Sequence, residues 1–406
     1  MTSAQTQPER HSIYFCFGDS ITANGGWIRQ LKDEKVGHFI NAGRSGRKAC
    51  DLPREFPPAW QECSGADQLI LFLGINDLPS RDPRNPQTRV KEALDGVQMA
   101  IEFALASIPS PHIHLFTPAG LFPEGMSEVN QAKGYPDAQP LLDHYEQGLR
   151  QLALQYGVKY LSLAGSLKKG DFRDGLHPNA SGESMIAGLV KAHLLKPTVY
   201  CVGDSISIDY HQALGESLLN TFHYSRKSGL AQARKNLDQA QGANGGDSSM
   251  VLAHLREYMQ SPDPADYLVI NCGLHDIKRA RHAEAARQVE SERYRENLEA
   301  IIRTVHGAGR KMVWVNTTPV DESIHRQFQK HFYRRETDWR EYQGLAAEVM
   351  EAANVPIIDL AAFTQNLGED LYRDHVHFHP AISVAQGHFL AAELKRILPQ
   401  IKDLKP

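Results

Sequence analysis

The chain of 406 residues has few cysteines and no long apolar run, and these absences exclude several classes of protein. Its five cysteines are an odd number, and three of them lie in apolar runs, so we expect reduced thiols rather than a disulfide framework. The strongest apolar run, 69–73, is far shorter than the roughly 18 residues that a membrane-spanning helix needs. We therefore expect neither a disulfide-stapled domain nor a membrane protein.

The chain also lacks an excess of positive charge. Lys and Arg total 44 against 48 Asp and Glu, so a nucleic-acid binder with a broad basic face is not expected. Hydrophobic residues at 41% and charged residues at 23% are typical of globular proteins and exclude collagen-like, disordered and coiled-coil classes. The apolar stretch 13–17 is too short for a secretory leader, which predicts a cytoplasmic protein.

Three short sequences occur twice, in the same order and about 200 residues apart. The pairs are 16–21 with 201–206, 69–77 with 268–276, and 174–178 with 374–378. A period this long predicts two homologous domains rather than a solenoid. Lys196 and Pro197 lie between a predicted helix and a new predicted strand, so we place the domains at 11–196 and 197–406.

Short apolar runs alternate with amphipathic stretches in both halves, which is typical of a parallel sheet covered by helices on both faces. The predicted strands are 12–17, 38–42, 68–73, 112–117 and 158–163, then 198–202, 220–224, 266–271, 311–317 and 356–359. The predicted helices are 27–35, 89–108, 140–156 and 181–195, then 248–259, 289–307, 337–353 and 383–397. We therefore expect two tandem α/β domains, each with a parallel sheet of about five strands and a site at the carboxyl ends of those strands.

Two long connections, 119–138 and 318–336, follow the same predicted strand in each half. Connections of this length often form functional loops or lids. A tolerated surface insertion explains them equally well, so their role stays open at this point.

Each half carries a serine, a histidine and an aspartate at positions that suit nucleophilic catalysis. A serine hydroxyl is a poor nucleophile until a base takes its proton, and His177 is the candidate base for Ser20. Asp174, three residues before His177, can hold the imidazole in the productive tautomer. The second half repeats the arrangement with Ser205, Asp374 and His377.

Four separated blocks in each half resemble those of the SGNH/GDSL hydrolase family, which is named after the Ser, Gly, Asn and His of the blocks. In the first half they are 18–21, 41–45, 74–77 and 174–177. In the second half they are 203–206, 244–248, 273–276 and 374–377, and His275 stands where the family usually has Asn. The resemblance implies two flavodoxin-like three-layer α/β/α domains that hydrolyse esters. It implies no metal and no organic cofactor.

The tetrahedral intermediate of ester hydrolysis carries a negative oxygen that needs donors aimed at it. In the first half we expect these donors to be the backbone N–H groups of Ser20 and Gly43 and the side-chain amide of Asn76. The corresponding set in the second half is Ser205, Gly246 and His275. A neutral imidazole donates from one ring nitrogen, so His275 is compatible with activity.

Other side chains are weaker candidates. Trp27 follows Ser20 closely enough to stack on a sugar ring, although core packing is the commoner role of a tryptophan. Three residues of the second long connection are candidates for binding an acidic substrate group: His331, Arg334 and Arg335. His375, His377 and His379 alternate as zinc ligands on a strand can, but the first half keeps only the histidine of the triad, so no metal is expected.

The favoured function is a tandem serine esterase that removes acetyl groups from a carbohydrate or another small acyl ester. An acyl-lipid or acyl-thioester hydrolase is an alternative within enzymes. In another alternative, one half is catalytic and the other is a non-catalytic glycan-binding domain, for which His275 marks the second half. The sequence does not indicate an oligomeric state.

Overall fold

The structure, a computed structural model, describes residues 12–401 except residues 64, 262 and 281. The chain divides between Lys196 and Pro197 into two compact units, called unit 1 and unit 2 below. The predicted limits at residues 11 and 406 lie outside the described residues. Among the helices of the described part, none is both long and apolar enough to cross a membrane.

Unit 1 is built on five parallel strands. They are β1 (Ile13–Gly18), β2 (His38–Gly43), β3 (Gln68–Phe72), β4 (Ile113–Phe116) and β5 (Lys159–Leu161). Its helices are α1 (Ser20–Asn24), α2 (Gly26–Asp33), α3 (Leu52–Glu62), α4 (Pro86–Ala104), α5 (Glu128–Lys133), α6 (Gln139–Tyr156) and α7 (Ala180–Leu194). The strand order is β2-β1-β3-β4-β5, the flavodoxin-like order, which places β3 at the centre with every residue buried.

The alternation of side chains along β1 shows why this sheet is covered on both faces. Cys16 packs in one cluster with Trp27 and Leu31 of α2 and with residues of α7. Phe17 points the other way and meets Phe56 of α3 with ring centroids 5.4 Å apart. Successive residues of a strand face opposite sides of the sheet, so a strand that is apolar throughout must be covered on both faces.

Unit 2 repeats the frame with β6 (Thr198–Val202), β7 (His223–Arg226), β8 (Tyr267–Ile270), β10 (Lys311–Val315) and β12 (Ile357–Ile358), together with a short pair, β9 (Arg279–Ala280) and β11 (Phe332–Tyr333). Its helices are α8 (Ser205–Leu218), α9 (Leu230–Ala233), α10 (Ser248–Tyr258), α11 (Ser291–Gly307), α12 (Glu322–Phe328), α13 (Glu336–Ala352), α14 (Leu360–Gln365) and α15 (Pro380–Ile401). The parallel sheet has the order β7-β6-β8-β10-β12, equivalent to that of unit 1. Two tandem α/β/α folds with five-stranded sheets are therefore confirmed.

The sequence-based prediction missed helix α8, which directly follows the first strand of unit 2. Ten of its fourteen residues are buried, among them Ser205, Tyr210 and Leu214, and it packs closely on α15. A Cβ on Gly387 of α15 would lie 2.8 Å from the backbone nitrogen of Leu214. A helix buried on most sides has no polar stripe, so the amphipathic pattern that identifies surface helices is weak. The predicted strand 220–224 also lies slightly later in the chain, at β7.

Candidate active sites

Ser20 begins helix α1 directly after β1 in unit 1. The carboxylate of Asp19 caps this helix by accepting the N–H of Ile21 at 3.0 Å. A Cβ on Gly18 would lie 2.6 Å from the carbonyl oxygen of Phe72, so only glycine lets the ends of β1 and β3 and the start of α1 meet this closely. Burial raises the pKa of Asp19 to about 7 despite its bond to Ile21. The serine thus stands at the carboxyl edge of the sheet.

A continuous line of hydrogen bonds joins Ser20, His177 and Asp174. Ser20 Oγ lies 2.9 Å from His177 Nε2, and His177 Nδ1 lies 2.7 Å from Asp174 Oδ2. The other carboxylate oxygen of Asp174 accepts the backbone N–H of His177 at 2.7 Å. Burial alone would raise the pKa of Asp174, but the backbone and ring donors of His177 outweigh it and lower that pKa. Asp174 is therefore ionised near neutral pH and orients the imidazole.

The long connection 119–138 braces this site. Its Ser127 N–H donates to the carbonyl oxygen of Asp174 at 3.1 Å, and its Phe122 N–H donates to that of Gly175 at 2.9 Å. Tyr135 donates its hydroxyl to Oδ1 of Asn76 at 2.6 Å, which orients the amide nitrogen of Asn76 in the opposite direction. The connection is therefore a positioning segment, and the sequence alone did not distinguish this role from a surface insertion.

The structure does not support Gly43 and Gly246 as free oxyanion donors. The N–H of Gly43 donates to Oδ1 of Asn41 at 2.9 Å, and that of Gly246 donates to Oδ1 of Asn244 at 3.0 Å. Each Asn-x-Gly segment thus forms an Asx turn that uses the glycine N–H internally. Gly43 is needed for another reason, since its Cβ would lie 2.2 Å from the backbone nitrogen of Ala23 in α1.

The turn that follows β2 offers a different donor. Arg44 N–H donates to the carbonyl oxygen of Gly18, and Arg47 N–H closes the turn on the carbonyl oxygen of Arg44. Gly46 lies inside this turn with φ +75°, is exposed, and has no hydrogen-bond partner for its N–H among the described residues. Asn76 reaches the same turn, because its Nδ2 donates to the carbonyl oxygen of Arg47 at 3.1 Å.

Unit 2 carries the same line of groups, but more deeply buried. Ser205 Oγ lies 2.8 Å from His377 Nε2, and His377 Nδ1 lies 2.9 Å from either oxygen of Asp374. Ser205 is 4% exposed and the side chain of His377 is 3% exposed, whereas the side chain of His177 in unit 1 is 19% exposed. Burial would raise the pKa of Asp374, yet the donors of His377 lower it strongly. The second site therefore has the same constellation of groups, but its serine and histidine are less exposed to solvent.

His275 lies in unit 2 at the position of Asn76. Its side chain is buried, and Lys278 Nζ lies 3.2 Å from its Nδ1. An ammonium group only donates, so Nδ1 accepts and the ring proton belongs on Nε2 when Lys278 is charged. His275 Nε2 is buried without a hydrogen-bond partner among the described residues. Burial, and next the charge of Lys278, hold the pKa of His275 well below its ordinary value, so the ring is neutral.

A possible metal cluster overlaps this site. Asp374, His375 and His377 each offer a ligand atom, and these atoms lie within 4.8 Å of one another. The nitrogens of both rings already have partners: His377 lies between Ser205 and Asp374, and His375 lies between Arg334 and Asp238. A metal ion would have to break these bonds. His379, the third histidine of the sequence pattern, is not part of the cluster.

One protein-family model matches the chain twice, once in each unit. The GDSL-like lipase/acylhydrolase family matches residues 16–184 and 201–383, and each match contains one of the two serine sites. The chain belongs to this family. It is therefore an esterase-type hydrolase with two family domains. No curated protein matches the chain.

Several solved structures resemble one half of this GDSL-family chain. Est24, a carbohydrate acetylesterase from Sinorhizobium meliloti, is 19% identical, covers 45% of this chain and 98% of its own, and has a TM-score of 0.36. Axe2, an acetylxylan esterase from Geobacillus stearothermophilus, is 18% identical, covers 46% and 97%, and has a TM-score of 0.37. A lipolytic G-D-S-L protein from Veillonella parvula is 19% identical, covers 45% and 97%, and has a TM-score of 0.35. Likeness at this level does not identify the substrate of this chain.

The structure corrects the weaker candidates. Trp27 is fully buried and packs edge-on against Phe72, so its ring cannot stack on a sugar. His331 is exposed, and Arg335 pairs with Glu284; within the described residues neither is bonded to the group around Ser205. Arg334 alone reaches that group, where it is buried and lies beside His375. It is the candidate from this connection that remains.

Replacing Gly43 by alanine should destabilise unit 1 by about 1–3 kcal/mol, because the new methyl group collides with the backbone of α1. Gly188→Ala is the matched control. Gly188 lies in α7 with open space around its Cβ position, so alanine should stabilise the helix by about 0.5–1 kcal/mol. Urea denaturation followed by tryptophan fluorescence measures both. A Gly43→Ala protein as stable as wild type would contradict the packing account.

Chelation should leave hydrolysis by both sites unchanged, because the ring nitrogens of His375 and His377 serve as hydrogen-bond partners and not as ligands. The measurement is ester turnover before and after dialysis against EDTA, with each serine variant examined separately. Loss of turnover that zinc restores would instead assign the cluster of Asp374, His375 and His377 to a metal.

Proposed function

We propose that the protein is a serine esterase with two active sites, in which Ser20 and Ser205 are the nucleophiles. The observation that carries this proposal is the same in both units: a serine Oγ lies 2.9 or 2.8 Å from Nε2 of a histidine whose Nδ1 faces an ionised aspartate. This distance is a hydrogen bond through which the imidazole can take the hydroxyl proton.

The reaction at Ser20 follows from this geometry. His177 takes the proton from Oγ as the oxygen attacks the ester carbonyl, and Asp174 stabilises the imidazolium that forms. His177 then gives the proton to the leaving alcohol, which leaves an acyl group on Ser20. A water molecule, deprotonated by the same imidazole, releases the acid and restores the serine.

The negative oxygen of the intermediate needs donors that are free before substrate arrives. In unit 1 we assign the N–H of Ser20, the second amide hydrogen of Asn76, whose first donates to the carbonyl oxygen of Arg47, and the N–H of Gly46 in place of that of Gly43. Gly46 is supported by its unpartnered N–H in the turn that both Gly18 and Asn76 contact. In unit 2 we assign the N–H of Ser205 and Nε2 of His275.

The proposed substrate of unit 1 is an acetyl ester of a carbohydrate. Family membership supports ester hydrolysis, and the half-exposed Ser20 is flanked by polar groups, namely His177, Asn76 and the hydroxyl of Tyr135. Such a surrounding suits a hydrophilic alcohol better than an acyl lipid. A series of 4-nitrophenyl esters with two to eight acyl carbons, together with acetylated oligosaccharides, tests this. Preference for long acyl chains would favour a lipid or thioester substrate.

A second candidate function applies to unit 2 alone. Ser205 and His377 are buried, which limits the access of an ester to the serine, and His275 replaces the asparagine that is usual in the family. Both observations favour the alternative in which unit 2 binds a glycan without hydrolysing it. We favour catalysis, since the distances among Ser205, His377 and Asp374 match those of unit 1 and a binding domain has no need of them.

The two serines should act independently, since each unit has its own nucleophile, base and aspartate. Ser20→Ala should leave only the turnover of unit 2, and Ser205→Ala only that of unit 1. The double variant should lose a factor on the order of 10⁴ or more in turnover, because the members of a triad act as a unit. Turnover is measured on the same ester series. If Ser20→Ala has only the residual rate of the double variant on every substrate, unit 2 is not an esterase. The same result for Ser205→Ala would exclude unit 1.

His275→Ala, made in the Ser20→Ala background, should lower kcat by about 10²–10³ with little change in KM, as expected for a lost oxyanion donor. His275→Asn should recover much of this rate, because an amide there can donate while its oxygen accepts from Lys278. Steady-state kinetics measure the split between kcat and KM. Unchanged turnover in His275→Ala would remove His275 from the mechanism.

A further inference from the structure

The short antiparallel pair of unit 2 places two cations side by side. Strand β9 pairs with β11 in the register Arg279 with Tyr333, so the next opposed pair in that register is Lys278 with Arg334. Both cations lie over the same ring, with Lys278 Nζ 4.8 Å and the Arg334 guanidinium 5.0 Å from the centroid of Phe332. Like charges placed opposite each other in a sheet repel, so this arrangement is unfavourable unless something negative joins it.

Neither cation has a carboxylate partner within ion-pair distance among the described residues. Arg334 is 2% exposed, and its guanidinium donates to the carbonyl oxygen of Leu274 at 2.7 Å and approaches Nδ1 of His375 at 3.4 Å. Lys278 donates to the carbonyl oxygen of Asp238 at 2.6 Å and to His275. None of these acceptors is a carboxylate. A buried guanidinium without an anion is costly, and burial lowers the pKa of Arg334 to about 10.

Each carboxylate near Lys278 and Arg334 already has another hydrogen-bond partner. The carboxylate of Asp238 lies 2.9 Å from Nε2 of His375, that of Asp374 holds His377, and that of Asp204 caps helix α8. Burial, followed by the charge of Arg334, lowers the pKa of Lys278 to about 7. The charges of Asp238, Asp204 and Asp374 act on Arg334 from beyond ion-pair distance and only partly offset its burial. A bound carboxylate would give both cations a direct ion-pair partner and relieve their repulsion.

The cation pair is directly connected to the proposed oxyanion donor. Lys278 bonds to Nδ1 of His275, and Arg334 holds the carbonyl oxygen of Leu274, the residue before it. His275 Nε2 is buried and has no hydrogen-bond partner in the part of the chain that the structure describes. Lys278 and the carboxylate of Asp238 are partly exposed, so solvent reaches the cluster from their side. A group bound by the cations would thus lie next to the ester that Ser205 attacks.

At the matched positions of unit 1 the described residues include no such charge pair. In the matched block Pro79 takes the place of Lys278, and the residue that reaches Asn76 from the long connection is Tyr135, a neutral donor. The two units therefore share the serine, histidine and aspartate but differ in charge where the remainder of the substrate would lie.

We propose that the second site is specific for esters that carry a carboxylate, and that Arg334 and Lys278 bind this carboxylate beside the reacting ester. This inference rests on the proposed function of unit 2. A carboxylate matches the fork of a guanidinium and accepts from an ammonium group at the same time. The carboxylate can belong to the acyl group, as in a hemisuccinate, or to the alcohol, as in an acetylated uronic acid.

The test compares matched ester pairs in the Ser20→Ala full chain. One pair is 4-nitrophenyl hemisuccinate against 4-nitrophenyl butyrate, and the other is an acetylated galacturonic acid against its methyl ester. We expect kcat/KM to favour the carboxylate member of one pair by tenfold or more, and that pair identifies which part of the substrate carries the charge. Preference for the neutral member of both pairs would overturn the proposal.

Arg334→Gln should reduce this preference about tenfold or more, mainly through KM for the carboxylate ester, while KM for its neutral partner changes little. Lys278→Met, at a partly exposed position, should act in the same direction and covers the case in which Arg334→Gln fails to fold. Arg326→Gln is the matched control, since Arg326 lies exposed in the same connection and pairs with Glu322. An equal preference in all three variants would contradict the role of the cation pair.

A binding measurement separates this proposal from the esterase proposal. Calorimetric titration of the Ser20→Ala chain with galacturonate and with succinate should show binding that Arg334→Gln weakens at least tenfold and Arg326→Gln leaves unchanged. Binding with this pattern but no turnover of any ester would keep the carboxylate site and reject catalysis by unit 2. Turnover with neither carboxylate preference nor carboxylate binding would keep catalysis by unit 2 and reject the carboxylate site.

Discussion

The hydrogen bond between the serine hydroxyl and the imidazole is the interaction on which the rest of each unit depends. In unit 1 it joins residues 157 positions apart, and in unit 2 residues 172 positions apart. Each serine follows the first strand of its unit, and each histidine precedes the last helix. A parallel sheet collects the carboxyl ends of its strands at one edge, so this fold brings the two ends of a unit together at a single place.

The aspartate holds the histidine through the backbone of its loop as well as through its ring. In both units one oxygen of the aspartate accepts two backbone N–H groups, those of residues two and three positions later in the chain, while the carboxylate also faces the ring. These donors lower the pKa of Asp174 and Asp374 although burial would raise it. The loop is therefore preorganised before any substrate arrives, which is what catalysis by a poor nucleophile requires.

The two units use one frame and differ in what surrounds it. In unit 1 the long connection contacts the site through backbone groups and the neutral Tyr135, and Ser20 stays half-exposed. In unit 2 the corresponding connection inserts Arg334 into a buried position and pairs through β11 with β9. A duplicated hydrolase can keep its reacting groups constant and change specificity through such connections, since these segments do not build the sheet.

The sequence by itself determined the fold class, two tandem α/β domains with parallel sheets, and it predicted which serine, histidine and aspartate belong together in each half. Apolar strands must be buried, and the order of the blocks brings one serine and one histidine to the same edge in each half. It did not identify helix α8, because a helix buried on most sides loses its amphipathic pattern. The tertiary structure alone decided that the N–H of Gly43 is used in an Asx turn, that Trp27 is core, and that Lys278 and Arg334 meet. Those outcomes depend on which backbone groups and charges lie within bonding distance after folding, and a linear pattern does not contain such distances.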